Sequence, residues 1–375
     1  MKKICFVLTA EFAVIAFLLG HLRALSEFYE VTVIVNTNNL NLLEDRGVKA
    51  KVIPLAIARN VNLVSDFICL IQLIKIFRQQ KFSAVHSVTP KAGLLAMLAA
   101  WIARVPLRIH TFTGQVWATK VGVKRFLLKQ MDCLIAFLTT HNIVDSTSQR
   151  QFLIDEKVMS STKAIVFAKG SISGVDIARF KPNKQVRNSL RQQLNIPNEG
   201  TIFLFIGRLT IDKGLLDLAH AFKYLNAVSA YLLFVGPDEQ SLQAELISIV
   251  GKDSQNVQLV GHTNTPETYM AAADVLCLPS YREGFGSVVI EAAAVGIPAI
   301  ASRIYGLTDA VVEGKTGLLH EPYDVNAIKS CMEKMMHNQT LRFNLGKQAQ
   351  ARAVKDFDSK LITQAWVDFY RENLH

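Results

Sequence analysis

Short apolar runs alternate with longer segments of helical periodicity from one end of the chain to the other. In the first half these runs are residues 4–9, 31–36, 51–55, 84–87, 107–111 and 164–168. In the second half they are residues 202–207, 230–236, 257–260, 275–278 and 299–302. Strands that alternate with helices are typical of βαβ units, in which helices cover both faces of a parallel sheet. The pattern therefore predicts the α/β class.

The two sets of runs are separated by a segment rich in glycine, proline and polar residues, within residues 170–200. We therefore predict two doubly wound, Rossmann-like domains rather than one barrel, with boundaries at residues 1–178 and 179–355. Residues 356–375 are expected to form a helix that packs back toward the first domain. Because ligands bind outside the carboxyl ends of such strands, the expected site is a cleft between two facing domains.

Composition excludes several classes of protein. Half of the 375 residues are hydrophobic and 19% are charged, which is typical of a globular protein and not of a disordered one. The cysteines are scattered and never form a C-x-x-C pair, which argues against a zinc cluster or a disulfide framework and fits a reducing cytosol. They are Cys5, Cys69, Cys133, Cys277 and Cys331.

The first twenty residues resemble a secretory signal, because two lysines precede a largely apolar stretch. Glu11 interrupts that stretch, and no small-x-small cleavage site follows it. We interpret the segment as a strand over residues 3–9, a loop at residues 10–11 and a helix through Ser26. Elsewhere no run of 18 uncharged apolar residues occurs, so no transmembrane helix is predicted.

The net charge of +10 is unevenly distributed. Residues 1–178 contain 21 Lys and Arg against 11 Asp and Glu, whereas residues 179–375 contain 20 of each kind. Such asymmetry indicates a polyanionic partner for the first half: nucleic acid, acidic lipid or a phosphorylated substrate. A basic surface without a specific partner is the alternative.

Two cations flank the first loop of the second half. The run over residues 202–207 ends at Gly207-Arg208-Leu209, and Asp212-Lys213-Gly214 then opens a helix. An arginine fork and a lysine point charge at a strand end and a helix start can bind one diphosphate. The alternative is two solvated loop cations.

A second loop follows the run over residues 275–278 and leads into a helix. It reads Pro279-Ser280-Tyr281-Arg282-Glu283-Gly284-Phe285-Gly286. Its glycines allow close backbone approach, and a helix N-terminus favours phosphate. Glu283 and Glu291 could accept hydrogen bonds from the hydroxyls of two different rings. Alternatively, Glu283 only favours the helix dipole and Glu291 is an exposed helical residue.

In combination these motifs resemble glycosyltransferase family 4, over nearly all of residues 165–335, whereas residues 1–165 match in pattern only. Further points of similarity are Gly174-Val175-Asp176 with Phe180, Ala272-Ala273-Asp274, Gly296-Ile297-Pro298 and Gly314-Lys315-Thr316-Gly317. The resemblance implies a GT-B fold, retention of anomeric configuration, and no metal or other cofactor.

The family's functional residues carry over onto matching positions. Arg208 and Lys213 would neutralise the leaving nucleotide diphosphate, Glu283 would bind donor-sugar hydroxyls, and Glu291 would bind the ribose. The backbone of Gly207, Gly284, Phe285 and Gly286 would complete the donor site.

The first half departs from the family at two points. Members commonly carry Thr-x-His-Gly where this chain has Thr111-Phe112-Thr113-Gly114, and a glycine pair where it has Thr9-Ala10-Glu11-Phe12. A lone histidine such as His110 at a strand end is more often structural than functional. The acceptor-side candidates are Glu11, His110, Thr113 and Gln115.

Asp356-Phe357-Asp358 resembles the Asp-x-Asp metal motif of a different glycosyltransferase fold. No strand precedes it, and aspartate before the last helix is a good N-cap, so we interpret both aspartates as capping residues and predict no metal site.

Two helical segments of the first half are amphipathic. In residues 118–138, Lys120, Lys124, Arg125 and Lys129 stand beside apolar residues, a pattern typical of membrane-surface helices. Residues 61–81 are the second candidate. For both, the alternative is an ordinary helix packed on its sheet, and this alternative is favoured for residues 61–81.

The stretch from Thr111 to Trp117 looks like that of members that extend lipid-diphosphate-linked sugars in bacterial surface polysaccharide synthesis. We therefore expect a UDP-linked hexose or N-acetylhexosamine donor, a polyprenyl-diphosphate-linked glycan acceptor, and a peripheral position on the cytoplasmic face of the membrane. The alternatives are a nucleotide-sugar epimerase of the same fold and a basic nucleic-acid-binding protein, although no nucleic-acid module is recognisable. The sequence leaves open the donor sugar, the linkage and the oligomeric state.

Overall fold

In a computed structural model the chain forms two compact units. The structure describes residues 1–58 and 62–374, without the side chains of residues 252–254. Unit 1 consists of Met1–Ser173 and Ser359–His375, and unit 2 of Gly174–Asp358. The residue Val61, at the start of the second amphipathic candidate, lies outside the described residues.

The strands and helices of the described residues alternate in the predicted manner. The strands are β1 (Lys3–Val7), β2 (Glu30–Val35), β3 (Ala50–Pro54), β4 (Ala84–Ser87), β5 (Leu107–Phe112), β6 (His141–Val144), β7 (Ala164–Ile165), β8 (Thr201–Ile206), β9 (Ala230–Val235), β10 (Val257–Gly261), β11 (Val275–Leu278), β12 (Ala299–Ser302) and β13 (Gly317–His320). The α-helices are α1 (Glu11–Ala13), α2 (Leu19–Leu25), α3 (Leu63–Gln80), α4 (Pro90–Ile102), α5 (Gly122–Leu138), α6 (Thr147–Asp155), α7 (Lys184–Gln193), α8 (Leu215–Leu225), α9 (Gln243–Val250), α10 (Pro266–Ala272), α11 (Ser287–Val295), α12 (Leu307–Ala310), α13 (Val325–His337), α14 (Gln339–Asp356) and α15 (Ser359–Asn373). A π-helical segment, Val14–Leu18, joins α1 to α2, and short 3₁₀ helices occupy Glu44–Arg46, Ile211–Lys213 and Gly251–Asn256.

Each unit contains one parallel sheet. The strand order is β3-β2-β1-β4-β5-β6-β7 in unit 1 and β10-β9-β8-β11-β12-β13 in unit 2. In both sheets the order reverses beside the first strand of the unit, as in doubly wound folds. The predicted α/β class is confirmed, and β1 is a central strand whose residues Ile4 to Val7 are fully buried.

The boundary between the units differs by a few residues from residue 178. The backbone N–H of Val175 donates to the carbonyl of Phe357 at 2.7 Å, and Arg179 binds Glu267 at 2.8 Å. Residues 174–178 belong to unit 2, in which both Val175 and the neighbouring Arg179 find their partners. The final helix α15 contributes to unit 1 instead.

Helix α15 places aromatic side chains in the core of unit 1. The Trp366 ring lies between the imidazoles of His21 and His86, with centroid distances of 4.6 Å and 4.8 Å. The hydroxyl of Tyr370 lies 2.9 Å from Nδ1 of His86. Both imidazoles are buried, and burial lowers their pKa values, for His21 to about 4. Within residues 1–58 and 62–374, no helix has the length and apolar character needed to cross a bilayer.

Candidate active site

The predicted donor residues follow the carboxyl ends of adjacent strands in unit 2. Arg208 and Lys213 follow β8, and the loop of residues 279–286 follows β11, which pairs with β8. Parallel sheets bind ligands at this edge, where loops meet helix N-termini. Because β8 and β11 are neighbours in the sheet, the loops that follow them lie side by side.

Lys213 and Glu283 form an ion pair. The Lys213 ammonium lies 2.5 Å from Oε1 of Glu283, and the side chains are only 16% and 13% exposed. The hydroxyl of Ser280, which is fully buried, donates to the same carboxylate oxygen at 2.8 Å. The structure thus brings together two residues that the sequence predicted for different parts of the donor.

Arg208 binds a carboxylate that sequence reasoning missed. Its Nη1 lies 2.8 Å from Oε2 of Glu239, and both side chains are about one-third exposed, at 36% and 34%. Glu239 follows β9, which pairs with β8 along its whole length. A signal was present, because acidic residues after β9 must lie beside the loop that follows its neighbour.

Glu291 projects from α11 and is half-buried. Burial raises the pKa of this carboxyl to about 7, against an opposing effect of Arg179, and Glu267 raises it further. In the part of the chain that the structure describes, Glu291 forms neither a hydrogen bond nor an ion pair. An unpaired carboxylate in such a place is costly, so Glu291 is suited to accept hydrogen bonds from a ligand.

The glycines of the second loop permit close packing. Gly286 has φ of +82°, and a Cβ at this position would lie 2.5 Å from Cδ2 of Leu307. The ring of Phe285 is 2% exposed and packs against Phe357 with centroids 5.2 Å apart. Only the backbone of Phe285 can therefore contact a ligand, in line with the backbone role expected for this residue. Gly207, after β8, lies close to Gly236, after the neighbouring strand β9. A Cβ on Gly236 would lie 1.9 Å from the Gly207 oxygen.

The acceptor-side candidates lie in unit 1, where polar side chains bind one another. Glu11 begins α1, rather than lying in a loop, and accepts a hydrogen bond from Thr37. Gln115 is 2% exposed and accepts from Nε2 of Gln149 at 3.2 Å, and Thr113 accepts from the same amide through its carbonyl at 3.3 Å. Sequence reasoning missed Gln149, which is fully buried.

Two titratable groups near this edge are also buried. Asp145, directly after β6, is 5% exposed, and burial raises its pKa to about 8. His110 is 1% exposed, lies 2.8 Å from the Ser87 hydroxyl, and has a pKa lowered to about 3 by burial. A Cβ on Gly93 would lie 2.4 Å from Cε1 of His110, so α4 packs directly on the imidazole. His110 is therefore a core residue, and its interpretation as an acceptor contact is not supported.

The Asp-x-Asp stretch is divided between two elements. Asp356 is the last residue of α14 and lies 3.8 Å from Arg352, so it does not cap α15 as expected. Asp358 directly precedes α15, and its backbone forms an isolated parallel β-bridge with Val175. Among the described residues, no three His, Cys, Asp or Glu side chains are grouped as a metal site would require.

The cations of the predicted membrane helix have different environments. Arg125 and Lys129 each lie 2.6 Å from a carboxylate oxygen of Glu156 and stand over the Trp117 ring. Lys120 and Lys124 are exposed. Two of the four cations predicted to face lipid therefore have partners within unit 1.

Family models match both units. The glycosyl transferases group 1 model matches residues 186–352, and the glycosyl transferase 4-like model matches residues 3–140. The chain is 31% identical to the capsular polysaccharide biosynthesis glycosyltransferase CapM of Staphylococcus aureus, over 90% of this chain and 88% of that protein. It is 27% identical to the UDP-Gal:alpha-D-GlcNAc-diphosphoundecaprenol alpha-1,3-galactosyltransferase of Escherichia coli, over 84% and 81% of the two chains.

A solved structure shows the same architecture. Anabaena HepE, crystallised in complex with UDP, superposes with a TM-score of 0.81 at 18% identity, covering 99% of this chain and 100% of HepE. The likeness confirms the predicted GT-B fold. From its 31% identity to CapM across most of both sequences, together with the two family models, the chain belongs to glycosyltransferase family 4 and is a glycosyltransferase.

Proposed function

We propose that this glycosyltransferase moves a hexose or N-acetylhexosamine from a UDP-sugar to a polyprenyl-diphosphate-linked glycan in bacterial surface polysaccharide synthesis. The observation that carries the proposal is the set of charged groups in the loops after β8 and β11 and on α11: Arg208, Lys213, Glu283 and Glu291. The names of the Escherichia coli and Staphylococcus aureus relatives support the donor, the lipid-linked acceptor and the polysaccharide product.

Donor binding exchanges carboxylates for phosphate. Lys213 and Arg208 are paired with Glu283 and Glu239, so a diphosphate can replace both carboxylates as their counter-ion. As the bond between the anomeric carbon and the diphosphate breaks, negative charge accumulates on UDP. Each donor that stabilises such charge contributes roughly 3 kcal/mol to the transition state. Glu283 is released from Lys213 when the donor binds, and it accepts hydrogen bonds from the sugar.

Glu291 binds the ribose in this proposal. Its carboxylate is half-buried and its pKa is raised by burial, so two hydroxyl donors would stabilise the charged form. Reaction with retention and without a metal ion completes the proposal, with cations and backbone N–H groups in place of the metal.

A nucleotide-sugar screen tests the proposal. UDP and UDP-sugars should raise the melting temperature of the protein, because a ligand that binds only the folded state stabilises it. The donor so identified is then incubated with a synthetic lipid-diphosphate sugar, and transfer is followed by UDP release and mass spectrometry. UDP-sugar turnover to an isomer without an acceptor would instead identify an epimerase, which the comparisons do not favour.

We further propose that unit 1 binds the membrane surface through α3 and α5. On α5, Val123, Phe126, Leu127 and Phe137 are between 54% and 74% exposed. Near the start of α3, five apolar side chains are between 50% and 81% exposed, although the sequence favoured an ordinary packed helix there. They are Leu63, Val64, Phe67, Ile68 and Ile71. Lys124 on α5 and Lys120 just before it supply positive charge, and each cation near an anionic surface contributes about 1 kcal/mol.

Co-sedimentation with anionic and neutral vesicles tests the membrane proposal. We expect binding to anionic vesicles that weakens in high salt and in the variant with Lys120→Gln and Lys124→Gln. Phe126→Ser should also weaken binding, whereas Phe343→Ser in unit 2, at a side chain 69% exposed, serves as the matched control. Equal binding to both vesicle types, or to neither, would show that the basic half serves another anion.

A further inference from the structure

Besides the Lys213–Glu283 pair, an ion pair and hydrogen bonds join the loop of residues 279–286 to the segment of residues 210–217. Nη2 of Arg282 lies 2.7 Å from Oδ2 of Asp212. The other carboxylate oxygen of Asp212 accepts from the Thr210 hydroxyl at 2.5 Å. The backbone N–H of Tyr281 donates to the Asp212 carbonyl at 2.9 Å. Asp212 thus binds the loop through both its side chain and its backbone.

Tyr281 adds a second attachment point. Its hydroxyl donates to Oδ2 of Asp217 on α8 at 2.7 Å, and its ring stacks on that of Tyr323 with centroids 3.9 Å apart. Tyr323 has φ of +66°, a conformation that costs a non-glycine residue about 1 kcal/mol or more. Burial and the neighbouring Asp217 raise the pKa of Tyr281, so the phenol remains a proton donor throughout the physiological range.

The charges in this cluster are complementary. Burial alone would raise the pKa of Asp212, but the hydrogen bond from Thr210 and the charges of Arg282 and Lys213 outweigh it, and the net pKa is lowered. Asp212 is therefore ionised whenever the enzyme binds a diphosphate near neutral pH. Its pairing with Arg282 also leaves Lys213 free to exchange one counter-ion for another.

We propose that Asp212, Arg282 and Tyr281 are positioning residues that fix Lys213 relative to Glu283 for the incoming diphosphate. Lys213 directly follows Asp212, and Glu283 directly follows Arg282, so the outer ion pair sets the separation of the two backbone positions. A lysine side chain is long and flexible, and holding its backbone reduces the entropy lost when it binds phosphate. The inference rests on the proposed function of Lys213 and Glu283.

A double-mutant cycle measured by calorimetry with UDP tests the inference. Arg282→Gln should raise the Kd for UDP about tenfold in the wild-type background, as misplacement of a binding group does. If Arg282 acts through Lys213, the same change should raise the Kd less than about twofold in the Lys213→Ala background. Tyr281→Phe, which removes only the hydroxyl, should give a smaller loss with the same dependence on Lys213.

Arg303→Gln is the matched control, because Arg303 is likewise an ion-paired arginine of unit 2, but its partners are Glu313 and Glu321 rather than Asp212. The Kd of the Arg303→Gln variant for UDP should stay within about twofold of the wild-type value, as expected for an exposed ion pair. An equal Kd increase from Arg282→Gln in both backgrounds, or an equal increase from Arg303→Gln, would overturn the positioning role. Failure of the wild type to bind UDP, or of Lys213→Ala to weaken binding, would instead contradict the proposed donor site.

Discussion

The strand-end loops of the two units differ in how their polar groups are satisfied. In unit 2 the groups are charged and partly exposed: Arg208 and Lys213 have carboxylate partners, and Glu291 is half-buried. In unit 1 they are mostly neutral and buried, as in the hydrogen bonds between Gln115 and Gln149 and between Ser87 and His110. Unit 2 can exchange its internal ion pairs for a ligand at little cost in desolvation. Unit 1 cannot do so at these positions.

The largest expected effect is on the stability of unit 1 and comes from its buried histidines. Burial lowers the pKa of His21 to about 4 and of His110 to about 3, and His86 shifts in the same direction. Since the unfolded chain binds these protons below about pH 6.5, the histidines destabilise unit 1 as the pH falls. Asp145 and Asp132, whose pKa values burial raises to about 8 and about 6, act in the opposite direction, because the folded chain takes up their protons first. In the variant with Asp132→Asn and Asp145→Asn, which removes this opposing effect, His21 and His110 together should lower the free energy of unfolding by about 3 kcal/mol between pH 7.5 and pH 5.5.

Tryptophan fluorescence during urea unfolding measures this loss, because Trp101, Trp117 and Trp366, the three tryptophans of the chain, all belong to unit 1. Unit 2, with the buried His320, should lose less, as judged by hydrogen exchange of peptides from β8 and β9. In the variant with both aspartates replaced, an unchanged fluorescence midpoint between pH 7.5 and 5.5 would show that the imidazoles are not held neutral.

The next effect concerns the cations of unit 2. Lys213→Ala and Arg208→Ala should each lower kcat by about a hundredfold or more, since each removes charge stabilisation from the departing diphosphate. The assay is UDP release with the identified donor and acceptor. Lys223→Ala, at an exposed lysine of α8, is the matched control and should retain normal turnover. Near-normal kcat in both folded active-site variants would contradict the diphosphate role.

The two glutamates should separate nucleotide from sugar. Glu291→Gln should weaken UDP binding about tenfold, as loss of a charged hydrogen-bond acceptor does. Because the pKa of Glu291 is raised to about 7, wild-type affinity should increase as the pH rises from 6 to 8, and the increase should shrink in Glu291→Gln. Glu283→Gln should leave UDP binding nearly unchanged and alter discrimination between sugars. Equal losses of UDP affinity in the two variants, measured by calorimetry, would contradict this division.

The smallest expected effect is that of chelation. If cations and backbone N–H groups of unit 2 replace a metal, EDTA should leave turnover unchanged in initial-rate assays. Loss of activity in EDTA that Mn²⁺ restores would mean that an ion binds at the site and would require new roles for the carboxylates.

Periodicity predicted most of the fold, and its failures have local causes. Nearly every predicted run became a strand within one or two residues, because parallel strands buried on both faces are nearly continuous in apolar residues. β6 and β13 were missed. The first begins with His141 and Asn142 and the second runs from Gly317 to His320, so neither shows an uninterrupted apolar run.

The donor-site motifs were readable because phosphate recognition requires specific charges beside glycines and a helix start. The pairing of Lys213 with Glu283 and of Arg208 with Glu239 was not predicted, since it depends on which strand ends are neighbours. The acceptor side was predicted least well. Glutamine, serine and histidine satisfy one another in a core as readily as they bind a glycan, and sequence alone does not distinguish the two uses.

The discontinuity of unit 1 has a consequence for biosynthesis. Residues 359–375 leave the ribosome after all of unit 2, yet they include Trp366, which stacks on His21 and His86, and Tyr370, whose hydroxyl lies beside His86. Unit 2 is continuous and can complete its own sheet while translation proceeds, whereas unit 1 begins to emerge before unit 2 and is completed only after it. A ribosome that stalls before residue 359 would thus yield a chain whose first unit lacks α15 and exposes apolar core residues. Such a product would be a natural target for chaperones and proteases.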